Sequence, residues 1–280
     1  MNLIKTLEFF FRIISPKKLK KRTYYQKCIK NGIGIEIGGP SLIFKNKGIL
    51  PLYSYAKRID GCNFSNNTIW EGALREGISY EAAAQPGRQY IADGTALNMI
   101  QDHSYDFVLS CHNLEHIANP LKALYEWKRI MKKDAFLVLI LPHKDRTFDH
   151  KRPVTDLNHI INDYRNKIGE DDDTHFDEIL SLHDFSTDKS FTDELSFKER
   201  LMNNISNRCA HHHVFNARLT VSLLDYVGFR LLDLSLIFHN IVVLADLKVD
   251  NSSNSAFLSP IHPAYKDQRY PSDFYRKQYT

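Results

Sequence analysis

At 280 residues and 43% hydrophobic content, the chain can bury a full core, which excludes a disordered polypeptide and leaves room for one large domain or a domain carrying an insertion. The net charge of +4 is local: residues 1–30 carry nine Lys or Arg against the single acid Glu8, so the remainder is mildly acidic and lacks the clustered bases of a nucleic-acid groove. Four scattered cysteines, Cys28, Cys62, Cys111 and Cys209, form no CxxC pair and no dense framework, which argues against a disulfide scaffold and suits free thiols in a reducing cytosol.

Residues 1–30 read as a basic amphipathic leader. Leu3, Ile4, Leu7, Phe10, Phe11 and Ile14 draw one stripe down a helix, too short to span a bilayer, which takes ~20 apolar residues. Its charges follow the apolar part, so a cleaved secretory signal is not expected. Two readings stay open: a helix packed on the domain, or a peripheral contact with the inner face of an anionic membrane through Lys17, Lys18, Lys20, Lys21 and Arg22.

Along residues 31–250 strand-like and helix-like patterns alternate. Residues 34–37 form a short apolar strand, 58–60 end a second, 89–92 lead into Asp93, and DFVLS (106–110) and FLVLIL (136–141) are continuous apolar runs suited to parallel strands covered on both faces. Between the last two, Asn119 caps and Pro120 opens a helix whose Leu121, Leu124, Tyr125, Ile130 and Met131 share a face, making a strand-helix-strand crossover. Residues 143–213, rich in His and Asp, read as an inserted lid or acceptor-binding segment. A periodic helix over 217–227 follows, then two apolar strands, 229–237 and 240–249, separated so briefly that they must form an antiparallel hairpin. Residues 251–280 read as a polar tail. The pattern predicts an α/β domain with a parallel sheet closed by that hairpin.

GIGIEIGGPS (32–41) poses the functional question. Glycines at the carboxyl end of a first strand let a ligand approach the backbone. The run Gly38, Gly39, Pro40, Ser41, Leu42 fails the dinucleotide fingerprint G-x-G-x-x-G, so a pyrophosphate cradle is disfavoured. Glu36-Ile37-Gly38-Gly39-Pro40 instead resembles the first motif of class I S-adenosylmethionine (SAM) dependent methyltransferases, and the likeness continues in chain order. Asp60 corresponds to the second-strand acid that holds the ribose hydroxyls. Asp93 with Gly94, in YIADGTAL, is similar to the acid beside the adenine. Ser110, His112 and the Leu114-Glu115-His116 run are similar to the fourth-strand motif, while Lys133-Asp134 replaces the usual Pro-Gly before the fifth strand. The resemblance covers about residues 32–142 and implies a Rossmann-like seven-stranded methyltransferase sheet, mostly parallel with a C-terminal antiparallel hairpin, carrying a His/Asp-rich insertion after the fifth strand. It implies SAM as cofactor.

Ten of the thirteen histidines lie between residues 112 and 213. The PHKD, FDHKRP and HHHVF runs resemble a bacterial methyltransferase subgroup linked with surface-polysaccharide genes, which implies a small-molecule or glycan acceptor, such as a sugar or nucleotide sugar. His143 and Asp145 follow the fifth strand and so emerge at the carboxyl edge, where His143 is the first expectation for a general base and His112 the second. Asp149, His211 and His213 are candidate ligands for a divalent metal, although adjacent residues of one strand cannot all point inward. Asp156, His159 and Asp163 lie beside an apolar helix stripe, either solvated or turned into the cleft. Arg152 and Arg208 suit an acidic acceptor or internal salt bridges. A non-catalytic SAM-binding module and a metal-dependent hydrolase remain as competing functions.

Overall fold

The computed structural model describes residues 19–188, 193–248, 252–266 and 269–274. The apolar stripe of the leader lies outside these residues, and no helix among them is long and apolar enough to cross a membrane. The chain enters through α1 (Arg22–Ile29) and β1 (Ile33–Ile37). There follow β2 (Arg58–Asn63), a small hairpin of β3 (Asn67–Thr68) and β4 (Gly72–Ala73), then β5 (Gly77–Tyr80), β6 (Gly87–Ile91) and β7 (Tyr105–Cys111). Next come α2 (Pro120–Ile130) and β8 (Met131–Pro142), with the Asn119 side chain accepting from the Lys122 amide at the start of α2. The insertion holds α3 (Leu157–Arg165), α4 (Phe176–Leu182), α5 (Glu194–Met202) and α6 (Asn204–Asn207). The chain closes with α7 (Ala217–Val227), β9 (Phe229–Ile237) and β10 (Asn240–Leu247).

Eight strands share one sheet in the order β5-β6-β2-β1-β7-β8-β10-β9. The five strands from β6 to β8 run parallel. β10 is antiparallel to both β8 and β9, because a two-residue turn at Phe238 and His239 folds it back between them. This order, with the last strand slotted beside the fifth parallel one, is the Rossmann-like methyltransferase sheet. β5 adds an antiparallel edge strand beyond the seven expected.

Each parallel strand feeds both faces. On β8, Leu137, Leu139 and Leu141 pack toward α2, α3 and α7, while Val138 and Ile140 join the core beneath α1 with Tyr25, Ile29, Phe107 and Leu109. That two-sided demand explains the unbroken FLVLIL run. The insertion has its own small core of Phe176, Ile179, Phe197, Leu201 and Ala210. Chain order reverses between β1, which leads outward to β2, and β7, which leads the other way to β8. A crevice opens outside the carboxyl ends of strands at such a switch point.

Candidate functional site

The loop after β1 is built around Glu36. Its side chain is completely buried and accepts from the Ser41 amide (3.0 Å), the Tyr53 hydroxyl (2.5 Å) and the Tyr80 hydroxyl (2.6 Å). Burial pushes its pKa up, and these donors counteract the rise. Glu36 therefore spends its hydrogen bonds on shaping the loop from within. Gly38 has φ of +84°, the left-handed region, and donates its amide to the Cys62 carbonyl at 2.9 Å. A Cβ on Gly39 would lie 2.2 Å from the Glu36 carboxyl carbon and 2.5 Å from the Tyr80 hydroxyl. Glycine at 39 thus lets the loop close over the Glu36 carboxylate and its tyrosine partners. Gly39→Ala is expected to weaken SAM binding about tenfold or more, equivalent to at least about 1.4 kcal/mol; an unchanged Kd by calorimetry would remove the loop from the site.

Asp60 does not reach the rim. β2 begins at Arg58 and continues to Asn63, which leaves Asp60 three residues, about 10 Å, short of the strand end. Its carboxylate accepts from the Arg88 amide (2.9 Å) and the Tyr105 hydroxyl (2.8 Å) and lies 3.2 Å from the Arg58 Nε. Reading the strand as ending at Asp60 mistook a buried polar anchor for a rim acid. Asn63 occupies the end, donating to the Gly39 carbonyl at 2.8 Å. The available signal was the apolar-to-polar change at Cys62-Asn63, past the point where the strand was expected to end.

Asp93 and Gly94 do follow β6 at the rim. Asp93 accepts from the Thr95 amide and faces Arg208 at 3.3 Å; although burial opposes it, these partners hold its pKa below the usual carboxylate range. Gly94 accepts the Trp127 indole N–H on its carbonyl at 2.9 Å. Arg208 also binds Glu170 at 2.8 Å, so it ties the insertion to the rim.

Near the end of β7, Ser110 is buried and its hydroxyl has no hydrogen-bond partner. His112 has φ of +48° and its Nε2 meets the Asn240 side-chain oxygen at 2.7 Å; burial and the nearby His239 push its pKa down to about 3. It stays neutral. Asn113 packs against Gly38, where a Cβ would lie 2.5 Å from its Oδ1, and its Nδ2 is buried without a partner. Gly38, Asn63, Asp93, Ser110 and Asn113 therefore gather at the carboxyl ends of the strands that flank the switch point.

His143 and Asp145 stand elsewhere. His143 is fully buried: Nε2 is 2.9 Å from Asp273, Nδ1 accepts from the Asp145 amide, and the ring packs on Tyr270. Asp145 accepts from the Ser272 amide and hydroxyl at 2.8 and 2.7 Å. Both are committed to the C-terminal segment, so neither is placed to take a proton from an acceptor. Sequence reasoning put them at the strand edge correctly but had no means of seeing a partner 130 residues away.

A further imidazole, His211 of the insertion, lies against His116 in the segment that follows β7. Its Nδ1 lies 2.6 Å from Asp149, which also receives Arg152 Nη1 at 2.9 Å. Burial alone would lower the His211 pKa, yet the Asp149 carboxylate raises it; Asp149 itself, despite burial, is held well below the usual carboxylate range by His211 and Arg152. Arg152 is buried and also bonds Glu178 (2.8 Å) and the His211 carbonyl (2.8 Å), so it serves the interior. Rings surround His211: His116 at 4.6 Å and Phe148 at 4.9 Å, with Trp70, from the turn of the β3–β4 hairpin, 5.1 Å from His116. His213 is not with its neighbours of the triplet. It turns to the Ala118 carbonyl (3.1 Å), and His212 to Asn204 (3.1 Å), so the set Asp149, His211 and His213 is split.

Glu115 lies beneath this group, 1% exposed, with neither carboxylate oxygen partnered. Burial lifts its pKa to about 7. A carboxyl whose folded pKa exceeds its unfolded value favours folding below the unfolded pKa and loses that contribution as pH rises through the folded one. Glu115→Gln is expected to raise the melting temperature relative to the parent at about pH 8 and to leave it unchanged at about pH 4. A constant difference across that range, measured by thermal denaturation, would refute the protonated buried acid.

Comparison with known proteins follows the geometry. Residues 49–139 match a family model described as a methyltransferase domain. No curated protein matches the chain. Similar solved structures include a SAM dependent methyltransferase from Aquifex aeolicus, 12% identical, covering 84% of this chain and 91% of that one with a TM-score of 0.42. Another is the Burkholderia thailandensis 1,6-didemethyltoxoflavin-N1-methyltransferase with bound 1,6-didemethyltoxoflavin and S-adenosylhomocysteine, 8% identical, covering 82% and 79%, TM-score 0.45. A third, a SAM-dependent methyltransferase and possible histamine N-methyltransferase from Thermotoga maritima, is 14% identical over 88% and 96%, TM-score 0.43.

Proposed function

We propose, for a chain whose matched methyltransferase domain and strand order make it a SAM-dependent methyltransferase, that the acceptor is the hydroxyl of a sugar, nucleotide sugar or glycan and that His211 is its base. The observation that carries this reading is the 2.6 Å contact between His211 Nδ1 and Asp149. Asp149 accepts from Nδ1–H, which fixes the tautomer and leaves Nε2 with its lone pair free to take a proton.

Residues Gly38, Gly39, Asn63, Asp93, Gly94 and Asn113 would hold SAM, since they stand together at the carboxyl ends of β1, β2, β6 and β7 and Asn113 offers an unpaired buried donor. When bound, SAM supplies an electrophilic methyl group. A hydroxyl is a poor nucleophile until its proton leaves, so the chain must provide a base near neutrality, which an imidazole braced by a carboxylate does. Arg152 keeps Asp149 ionised in turn. The half-buried Trp70 with Phe148 and His116 forms a wall of rings that suits the apolar face of a sugar, and the polysaccharide-linked subgroup resemblance agrees with it.

The test is incubation of the purified protein with labelled SAM and a panel of sugars, nucleotide sugars and glycans, followed by mass spectrometry of any product. A methylated sugar whose formation depends on His211 supports the reading. SAM binding with no product from any acceptor would favour a binding module instead.

A further inference from the structure

We propose that His159, Asp163, His175 and His213 bind one divalent transition-metal ion, Zn²⁺ by preference, which ties the first two helices of the inserted segment to the last residues of that segment. None of the four takes part in the methyl-transfer reading. α3 carries His159 and Asp163 one turn apart on the same face, His175 stands at the start of α4, and His213 comes from the run before α7. Their ligand atoms all lie within 4.8 Å of one another.

Two of the spacings are already those of a coordination shell, and the others need only a small contraction around an ion. His159 Nε2 is 3.2 Å from His175 Nε2 and 3.3 Å from Asp163 Oδ2. Ligand atoms around a tetrahedral zinc with ordinary bond lengths sit about 3.3–3.5 Å apart. One ring nitrogen has one proton or one lone pair, and it cannot serve a second ring nitrogen and a carboxylate oxygen equally well. A cation at their centre serves all of them. The independent sign is an unmet need: Asp163 is 9% exposed with Oδ2 lacking a hydrogen-bond partner, and His213, 1% exposed, leaves Nδ1 without one.

The surroundings are those of an outer shell. The Ala118 carbonyl lies 3.1 Å from His213 Nε2, the ring nitrogen that also stands 3.7 Å from Asp163 Oδ2; this contact puts the proton on Nε2 and the lone pair on Nδ1, which reaches the ion once the ring turns. Asp172 Oδ2 stands 4.0 Å from His175 and 3.8 Å from His212, adding a second negative charge beside Asp163. Three imidazoles with one carboxylate select zinc-like ions over magnesium or calcium, which prefer all-oxygen shells. Four protein ligands fill a tetrahedron, the pattern of a structural site, and the 42% exposed His159 side chain supplies a path of entry. Asn119 donates from α2's cap to the carbonyls of Asp163 and Ile168, so the end of α3 that carries Asp163 is already held against the crossover helix, and an ion here would join α4 to it.

The full-length protein, stripped with a chelator, should take up one Zn²⁺ per chain in a titration against a chromophoric competitor, with metal counted by mass spectrometry, and its melting temperature should rise. Co²⁺ should give the intense visible absorption of a four-coordinate ion. His159→Ala, which removes an exposed side chain and should fold, ought to weaken Zn²⁺ by more than the roughly 10–100-fold that losing an outer-shell contact costs. His211→Ala should keep the metal, which separates this site from the neighbouring Glu115, His116 and His211 group. The proposal is overturned if the parent binds no more zinc than His159→Ala, or if His211→Ala loses the ion while His159→Ala retains it. Circular dichroism of each variant separates metal loss from misfolding.

Discussion

Replacing His211 with alanine is expected to lower methyl transfer about 10²–10⁴-fold while SAM still binds, because general-base assistance is lost and the cofactor loop is untouched. Asp149→Asn should show part of the same loss with a distinctive pH signature. In the parent, Asp149 raises the imidazole pKa above its ordinary value, so the active base form appears only as pH climbs through that raised value. Without the carboxylate the acid limb of the rate profile should move to lower pH even as the maximum rate falls. The same linkage gives the opposite sign for stability: a raised histidine pKa favours folding below the unfolded value and loses that contribution as pH rises through the folded one. Rates and SAM affinities measured across pH would decide the matter; a His211→Ala protein with parental kcat sinks the assignment.

Asp273→Ala is the substitution expected to harm stability most. Asp273 is fully buried, sits 2.9 Å from His143 Nε2, and accepts the Arg218 amide at 3.3 Å. The Arg218 guanidinium also binds the Asp273 carbonyl, and Asn216 holds the Ser272 carbonyl at 3.0 Å. Removing the carboxylate strands a buried imidazole, for which about 2–4 kcal/mol is a fair cost. For a domain of this size that lowers the melting temperature by roughly 5–10 °C. His143→Ala should cost a similar amount, and the double variant little more than either alone, because both remove one interaction. Catalysis per folded molecule should survive below the melting transition. A large loss of kcat in His143→Ala with unchanged stability would return His143 to the acceptor site.

The parallel strands, the crossover helix and the terminal hairpin were legible in the residues, since apolar runs, an Asn-Pro cap and a two-residue gap each constrain only their neighbours. The glycine turn after β1 was legible for the same reason, but that Glu36 would turn inward to Ser41, Tyr53 and Tyr80 was not. Asp60 was misjudged because a strand's end depends on where its partners end, and β1 extends the pairing to Cys62 and β6 to Asn63.

The histidines mark the boundary most clearly. The sequence by itself determined that residues 143–213 were dense in imidazole and carboxylate, and that three adjacent histidines could not face one point. Only the tertiary structure decided that His211 would meet Asp149 while His213 would meet the group around Asp163, and that His143 would meet Asp273. Composition and periodicity depend on neighbours along the chain. Which side chain a buried proton faces depends instead on how distant segments pack, and a difference of two residues in the chain can place two identical side chains in separate networks.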